Sequence, residues 1–161
     1  MDKTTNNAAS IIRLIFGFIA GFLSTLVFHQ FTLALLYYLG IATFGPFSMS
    51  ATSPFGIPAV ISLSFWGGMW GIIYAMLDKR FPRDFGYWIF AFLFGAILPS
   101  LVALLIVFPL KGLPLAGGWK ASVIATVLLV NGMWGVGTGI LLKIISGLQH
   151  HLAKKERLGT T

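Results

Sequence analysis

The sequence predicts an all-α integral membrane protein whose four transmembrane helices form a compact bundle of two repeated hairpins. Three observations lead to this fold class. Hydrophobic residues make up 57% of the 161 positions and charged residues only 9%, against about 25% charged residues in a soluble domain. Four apolar stretches are long enough to cross a bilayer, and one tetrapeptide occurs in two of them.

Composition also excludes several classes of function. The chain has no cysteine, which excludes disulfides, thiolate metal sites and thiol nucleophiles. Its formal charge of +7 comes from basic residues that flank the apolar stretches, as is typical of the cytoplasmic ends of membrane helices. Because no basic run is interleaved with aromatic residues, we expect no nucleic-acid partner.

The predicted spans follow from length and hydropathy. A helix needs about 20 apolar residues to cross the hydrocarbon core, and four segments meet this length, at residues 12–38, 57–77, 85–108 and 121–145. The first is longer than the roughly 7–15 apolar residues of a signal peptide, so we expect it to be retained. Residues 1–161 are predicted to form one membrane domain that ends in a basic, amphipathic tail at 146–161.

The basic residues predict the orientation. Nine of the eleven lie in the N-terminal flank, the loop at 78–84 and the C-terminal end, whereas the other two loops hold only Lys111 and Lys120. Cytoplasmic loops of membrane proteins are enriched in Lys and Arg. Both termini and the middle loop are therefore predicted to be cytoplasmic, with the chain in the cell (inner) membrane.

The two loops predicted to lie outside are unusually apolar. The first has three Pro and three Phe residues between positions 44 and 58, and the second reads PLKGLPLAGGW at 109–119. Two interpretations are open. The loops lie at the membrane interface and cap the bundle, or they form a docking surface for lipid or a partner.

The tetrapeptide Gly-Met-Trp-Gly occurs at 68–71 and again at 132–135. The same offset aligns Phe44 with Phe108, whereas residues 16–21 align with 90–95 only at a different offset. A repeat of two helices keeps its orientation in the membrane, as in parallel-repeat transporters. The pattern favours a duplicated hairpin over coincidence in a chain rich in glycine and aromatic residues.

Small residues four positions apart recur in every predicted span. Such pairs let membrane helices approach each other closely. In the third span the pair is Ala91 and Gly95. In the other spans we predict helix-packing roles for Gly17, Gly21, Gly67, Gly71, Gly135 and Gly139.

A few polar residues lie inside the predicted spans and form a candidate interior site. They are His29 and Gln30 in the first span, Ser100 beside Pro99 in the third, and Asn131 in the fourth. At about 1.5 Å per helical residue they share a similar depth. Two interpretations are open. The first is interhelical hydrogen bonding, in which His29 and Asn131 bond to each other or to the carbonyl freed by Pro99, and the second is a site for a ligand, a proton or a quinone.

No Asp, Glu, Lys or Arg lies well inside any predicted span. Such residues mark proton relays and charged-substrate pathways, and the interior also lacks paired carboxylates or a Ser/His/Asp set. We therefore predict no catalytic residue, no metal and no cofactor. A membrane enzyme acting on lipid or quinone is disfavoured for the same reason.

Besides this disfavoured enzyme, two further classes of function stay open. The first is an accessory or structural subunit of a membrane assembly, which the small size and the packing grooves favour. The second is a small oligomeric transporter or channel for an uncharged or apolar solute, which the repeat and Asn131 favour. The expected partners are the lipid bilayer and either further copies of the chain or other membrane subunits.

Overall fold

A computed structural model describes residues 3–159, with side chains for residues 10–149 and Lys155. It has four helices that are long and apolar enough to cross a membrane, and they pack together as a bundle. The predicted all-helical bundle and its four spans are thereby confirmed. The spans are Ser10–Tyr38, Ala59–Arg80, Gly86–Leu110 and Ala121–Gln149. We call the helices that contain them helices 1 to 4.

Helices 1 and 3 are each interrupted by one π-helical segment. Helix 1 consists of Lys3–Ser24, the π-helical Thr25–His29 and Gln30–Tyr38. Helix 3 consists of Gly86–Val102, the π-helical Ala103–Val107 and Phe108–Leu110. Pro99 lies just before the second π segment, where its missing N–H leaves the helical ladder one donor short.

Helices 2 and 4 have regular ladders. Helix 2 runs over Ala59–Leu77 and closes with a 3-10 turn at Asp78–Arg80. Helix 4 is continuous over Ala121–Gly159, 39 residues, or about 58 Å at 1.5 Å per residue. That length is about twice the hydrocarbon core, and residues 146–159 of the predicted tail continue helix 4 without a break. The last two residues of the predicted tail lie outside the described part of the chain.

The helices run up and down, and neighbours are antiparallel. Gly17 lies opposite Gly71, and Gly21 lies opposite Gly67. The loop at residues 39–58 meets the end of helix 3, where the rings of Phe44 and Phe108 are 6.4 Å apart. We call this the loop end of the bundle; at the opposite, terminal end lie the start of helix 1, the end of helix 4 and the loop at residues 81–85.

Glycine contacts hold each hairpin, whereas aromatic side chains join helix 2 to helix 3. Tyr74 of helix 2 lies edge-on to Phe94 of helix 3 at 5.3 Å, and Trp70 does the same at 6.4 Å. Tyr74 is fully buried, and Trp134 of helix 4, stacked on Phe94, is 2% exposed. These rings fill the interior between the hairpins.

Charged groups at the terminal end add contacts between helices. Arg13 forms an ion pair with Asp78, and its Nε donates to the carbonyl of Ala75 at 2.8 Å. On the other hairpin, the Lys143 ammonium lies 3.5 Å from the ring centroid of Tyr87. Both contacts lie towards the terminal end of the bundle.

The first loop folds back onto the bundle. Short strands β1 (Ala51–Thr52) and β2 (Ile57–Pro58) pair antiparallel within it. Ahead of them, the Phe47 ring lies edge-on to Phe31 of helix 1 at 5.8 Å. The loop is therefore attached to the half of helix 1 nearest the loop end of the bundle.

Candidate functional site

His29 and Gln30, two of the predicted interior residues, lie side by side where the π segment of helix 1 ends. Their side chains are buried, at 8% and 3% exposure. A π segment inserts one extra residue into the turn, which changes the direction of the side chains that follow it. Gln30 Nε2 lies 3.5 Å from His29 Nδ1, and Gln30 Oε1 accepts the N–H of Phe47 at 2.6 Å. Gln30 thus anchors the first loop.

Asn131 and Ser100 form the second polar pair, between helices 4 and 3. Asn131 Nδ2 donates to Ser100 Oγ at 3.1 Å, and Ser100 Oγ donates to the carbonyl of Val127 at 3.2 Å. Among the described residues no hydrogen bond links this pair to His29. The partner suggested for Asn131 was therefore wrong in one respect: the amide pairs with Ser100 instead of His29, because Ser100 faces it across the closely packed helices 3 and 4.

The glycines predicted to pack helices all lie at tight contacts. A Cβ built on Gly21 would come 2.3 Å from the carbonyl oxygen of Gly67, and one on Gly17 would come 2.6 Å from that of Gly71. In the second hairpin a Cβ on Gly135 would come 2.1 Å from the carbonyl oxygen of Ala91. Gly139 differs, since a Cβ there would meet the side chains of Tyr74 and Tyr87. The grooves are filled inside the bundle.

Aromatic contacts in the two hairpins also correspond. A Cβ on Gly68 would come 2.6 Å from the ring of Phe18, and a Cβ on Gly132 would come 2.4 Å from the ring of Phe92. Gly68 and Gly132 open the two copies of the repeated tetrapeptide. The facing phenylalanines occupy matching positions in residues 16–21 and 90–95. The repeated sequence therefore occupies equivalent packing positions.

A polar network that sequence reasoning missed joins helix 1 to helix 4. The Trp134 indole nitrogen donates to the carbonyl of Gly21 at 2.9 Å, and Ser24 Oγ donates to the carbonyl of Trp134 at 2.7 Å. Thr25 Oγ1 donates to the same Gly21 carbonyl at 3.0 Å. The available signal was the adjacent Ser and Thr in the middle of an apolar span, beside a small-residue pair.

The polar groups of the interior are taken up by packing. Within the described part of the chain, every buried side-chain nitrogen or oxygen has a hydrogen-bond partner. The same residues contain no group of three His, Asp or Glu side chains that could hold a metal ion.

The outward face of helix 2 carries a second candidate, Trp66, which the sequence analysis did not single out. Trp66 is 60% exposed and lies seven residues from the start of helix 2 at Ala59, about 10 Å inside that end at 1.5 Å per residue. Among the described residues its indole N–H has no acceptor. The sequence could have pointed to Trp66, because it lies well inside a predicted span, whereas Trp in membrane proteins is enriched at the interfaces.

The fold defines a multi-pass membrane bundle with a filled, uncharged interior. No protein-family model, curated protein or solved structure matches the chain. Two surfaces of the described residues are the candidates for a functional site. One is the exposed face of helix 2 around Trp66, and the other is the loop end of the bundle.

Proposed function

We propose that this protein is an accessory or structural subunit of a membrane assembly, and that a transmembrane helix of a different subunit packs on the outward face of helix 2. The observation that carries this proposal is Trp66, which is exposed on a predicted membrane span about 10 Å from its start and whose indole N–H has no acceptor among the described residues. In the hydrocarbon core water cannot satisfy a polar group, and each unsatisfied group costs several kcal/mol.

A partner helix removes this cost if it presents a carbonyl or hydroxyl acceptor to Trp66. Interhelical hydrogen bonds of this kind are a regular means of association between membrane helices. Trp134 shows the arrangement within the bundle, because its indole donates to a backbone carbonyl of the neighbouring helix. Trp66 is placed to make the same bond with a helix from outside.

The spacing of the exposed residues on helix 2 suits a second helix. Trp66, Met69, Ile73 and Met76 are 60%, 40%, 41% and 58% exposed. Their steps of three and four residues match the seam of a left-handed helix pair, with a crossing angle of about 20°. Methionine side chains adapt to irregular partner surfaces. Inside the bundle helix 2 packs chiefly on helix 1, which leaves this seam free.

Transport has less support than subunit assembly. The interior is filled by aromatic side chains such as Tyr74 and Trp134, and the Asn131 amide that favoured a solute pathway bonds to Ser100. The exposed large side chains along the middle of the spans are apolar, so an assembly of copies would not line a pore with polar groups.

Site-specific photocrosslinking in native membranes tests the proposal. A photoreactive phenylalanine analogue replaces Trp66, and the matched control carries it at Leu101 of helix 3, which is 49% exposed. We expect the Trp66 position to give one discrete adduct with a different protein and the Leu101 position to give none. Equal crosslinking at both positions, or adducts only between copies of this chain, would overturn the proposal.

The hydrogen bond has a test of its own. Trp66→Phe keeps the aromatic packing but removes the N–H donor. We expect Trp66→Phe to lower the amount of the partner, once identified by crosslinking, that copurifies with the chain in mild detergent. Leu101→Ala should leave that amount unchanged. An unaltered yield with Trp66→Phe and a lower yield with Leu101→Ala would place the partner elsewhere.

We also propose that both termini lie in the cytoplasm, with the chain in the cell (inner) membrane. Support comes from nine of eleven basic residues at the terminal end, as the positive-inside rule requires. The cysteine-free chain allows single cysteines without background. An impermeant maleimide should label Ser53→Cys in intact cells and Ser146→Cys only after permeabilisation. The reverse result would invert the orientation.

We further propose that the two hairpins arose by duplication. The shared Gly-Met-Trp-Gly and the equivalent contacts of Gly68 with Phe18 and of Gly132 with Phe92 support it. A duplicated unit should remain self-contained, so residues 1–80 and 81–161 expressed as two chains should assemble in the membrane. Failure of the two hairpins to associate would argue against independent, equivalent units.

A further inference from the structure

The loop end of the bundle contains a cavity of about 260 Å³ between the first loop, the end of helix 3 and the start of helix 4. None of its lining residues belongs to helix 2, so it is independent of the function proposed for the exposed face of that helix. Its lining is apolar apart from Thr43 and Lys120. The apolar part includes Phe44, Phe108, Leu113 and Val123.

A strained turn builds one wall of this cavity. Ala116, Gly117, Gly118 and Trp119 all have φ between 51° and 68°, a left-handed conformation that costs roughly 1–2 kcal/mol for each residue with a side chain. Gly117 has a second constraint, since a Cβ there would lie 2.4 Å from Val123 Cγ1. The backbone of the turn therefore packs directly against helix 4.

The opposite wall comes from the first loop. The rings of Phe44 and Phe108 meet edge-on at 6.4 Å, so the loop and helix 3 close the cavity together. Small-molecule pockets occupy roughly 300–1,000 Å³. A cavity just below that range holds the end of one hydrocarbon chain, and a whole lipid is too large for it.

Charge indicates which amphiphile would enter. The residues of the two loops at this end, 39–58 and 111–120, include Lys111 and Lys120 and no acidic residue, and only Lys120 lines the cavity. A lysine in the lining of an otherwise apolar cavity at the loop end suits an anionic headgroup joined to a chain. We propose that the cavity binds an anionic phospholipid, with one chain end inside and the phosphate on Lys120.

Binding of defined lipids to the delipidated, full-length protein in detergent tests this site. Native mass spectrometry would compare phosphatidylglycerol with phosphatidylcholine of the same chains. We expect wild type to prefer phosphatidylglycerol and Lys120→Gln to lose roughly five-fold of that preference, the effect of one lysine near a membrane surface. Lys111→Gln, the matched control outside the lining, should keep the preference.

The chain-binding part of the site is tested separately. Thr43 is exposed in the first loop and lines the cavity, so Thr43→Phe fills it without disturbing a helix. We expect this variant to lower the binding of both lipids, and glycerol phosphate, which lacks chains, not to compete. Equal losses with Lys111→Gln and Lys120→Gln, unchanged binding with Thr43→Phe, or competition by glycerol phosphate would overturn the proposal.

Discussion

The indole nitrogen of Trp134 donates a 2.9 Å hydrogen bond to the carbonyl oxygen of Gly21, near the middle of helices 4 and 1. On its other side Gly21 faces the backbone of Gly67 in helix 2. A Cβ on Gly67 would lie 3.2 Å from the same indole nitrogen. Three helices therefore meet at Gly21, and the absence of its side chain lets them do so.

The close approach of the helices predicts the effect of adding one methyl group. Gly21→Ala and Gly95→Ala each place a Cβ 2.1–2.3 Å from a facing backbone carbonyl oxygen. We expect each to lower the free energy of unfolding by about 1–3 kcal/mol. Gly147→Ala, with open space around the new Cβ, should be neutral or stabilising by up to about 1 kcal/mol. Unfolding by SDS in mixed micelles measures all three; equal values would argue against glycine packing.

The Trp134 hydrogen bond predicts a second stability effect. Trp134→Phe removes the donor and part of a buried ring, and we expect a loss of about 1–2 kcal/mol. Trp119→Phe changes a ring that is 70% exposed and should stay within about 0.5 kcal/mol of wild type. The same SDS titration distinguishes them. A Trp134→Phe variant as stable as the control would show that the bond contributes nothing.

The Asn131–Ser100 bond is best measured by a double-mutant cycle. Interhelical hydrogen bonds in membranes contribute about 0.6 kcal/mol on average, so we expect a coupling energy of that size between Asn131→Ala and Ser100→Ala. Thr126→Ala, whose hydroxyl bonds only within its own helix to Ser122, gives a control cycle with Ser100→Ala. Purely additive effects at Asn131 and Ser100 would show that the pair does not interact.

The ion pair of Arg13 with Asp78 predicts a salt-dependent coupling. The two side chains are 28% and 15% exposed, so solvent weakens but does not abolish their attraction. We expect a coupling energy of about 1 kcal/mol between Arg13→Gln and Asp78→Asn, falling as ionic strength rises. Arg80→Gln, which has no ion pair among the described contacts, should show no coupling with Asp78→Asn.

Several features of the fold could be predicted from the sequence because hydrocarbon imposes them. A chain without enough charged residues to form a soluble surface must bury its backbone in helices about 20 residues long. The predicted spans consequently end within a few residues of the observed ones. The role of Gly21 and Gly67 in helix packing could also be predicted, because two helices approach each other closely only where their side chains are small.

The partners of the polar residues could not be predicted in this way. Sequence and depth placed His29 near Asn131, yet Asn131 bonds to Ser100 and Gln30 bonds to the first loop. Depth along a helix follows from counting residues, whereas the direction of a side chain depends on helix rotation and on the π segment at Thr25–His29. Only packing against neighbours sets those two quantities.

The two copies of Gly-Met-Trp-Gly also show which properties follow from the sequence and which depend on packing. By itself the sequence determined that both tryptophans lie inside membrane spans next to small residues. Tertiary structure alone decided that Trp134 is 2% exposed and bonded to helix 1, while Trp70 lies edge-on to Phe94. The physical reason is that hydropathy fixes whether a residue enters the bilayer, and the neighbouring helix fixes whether it meets protein or lipid.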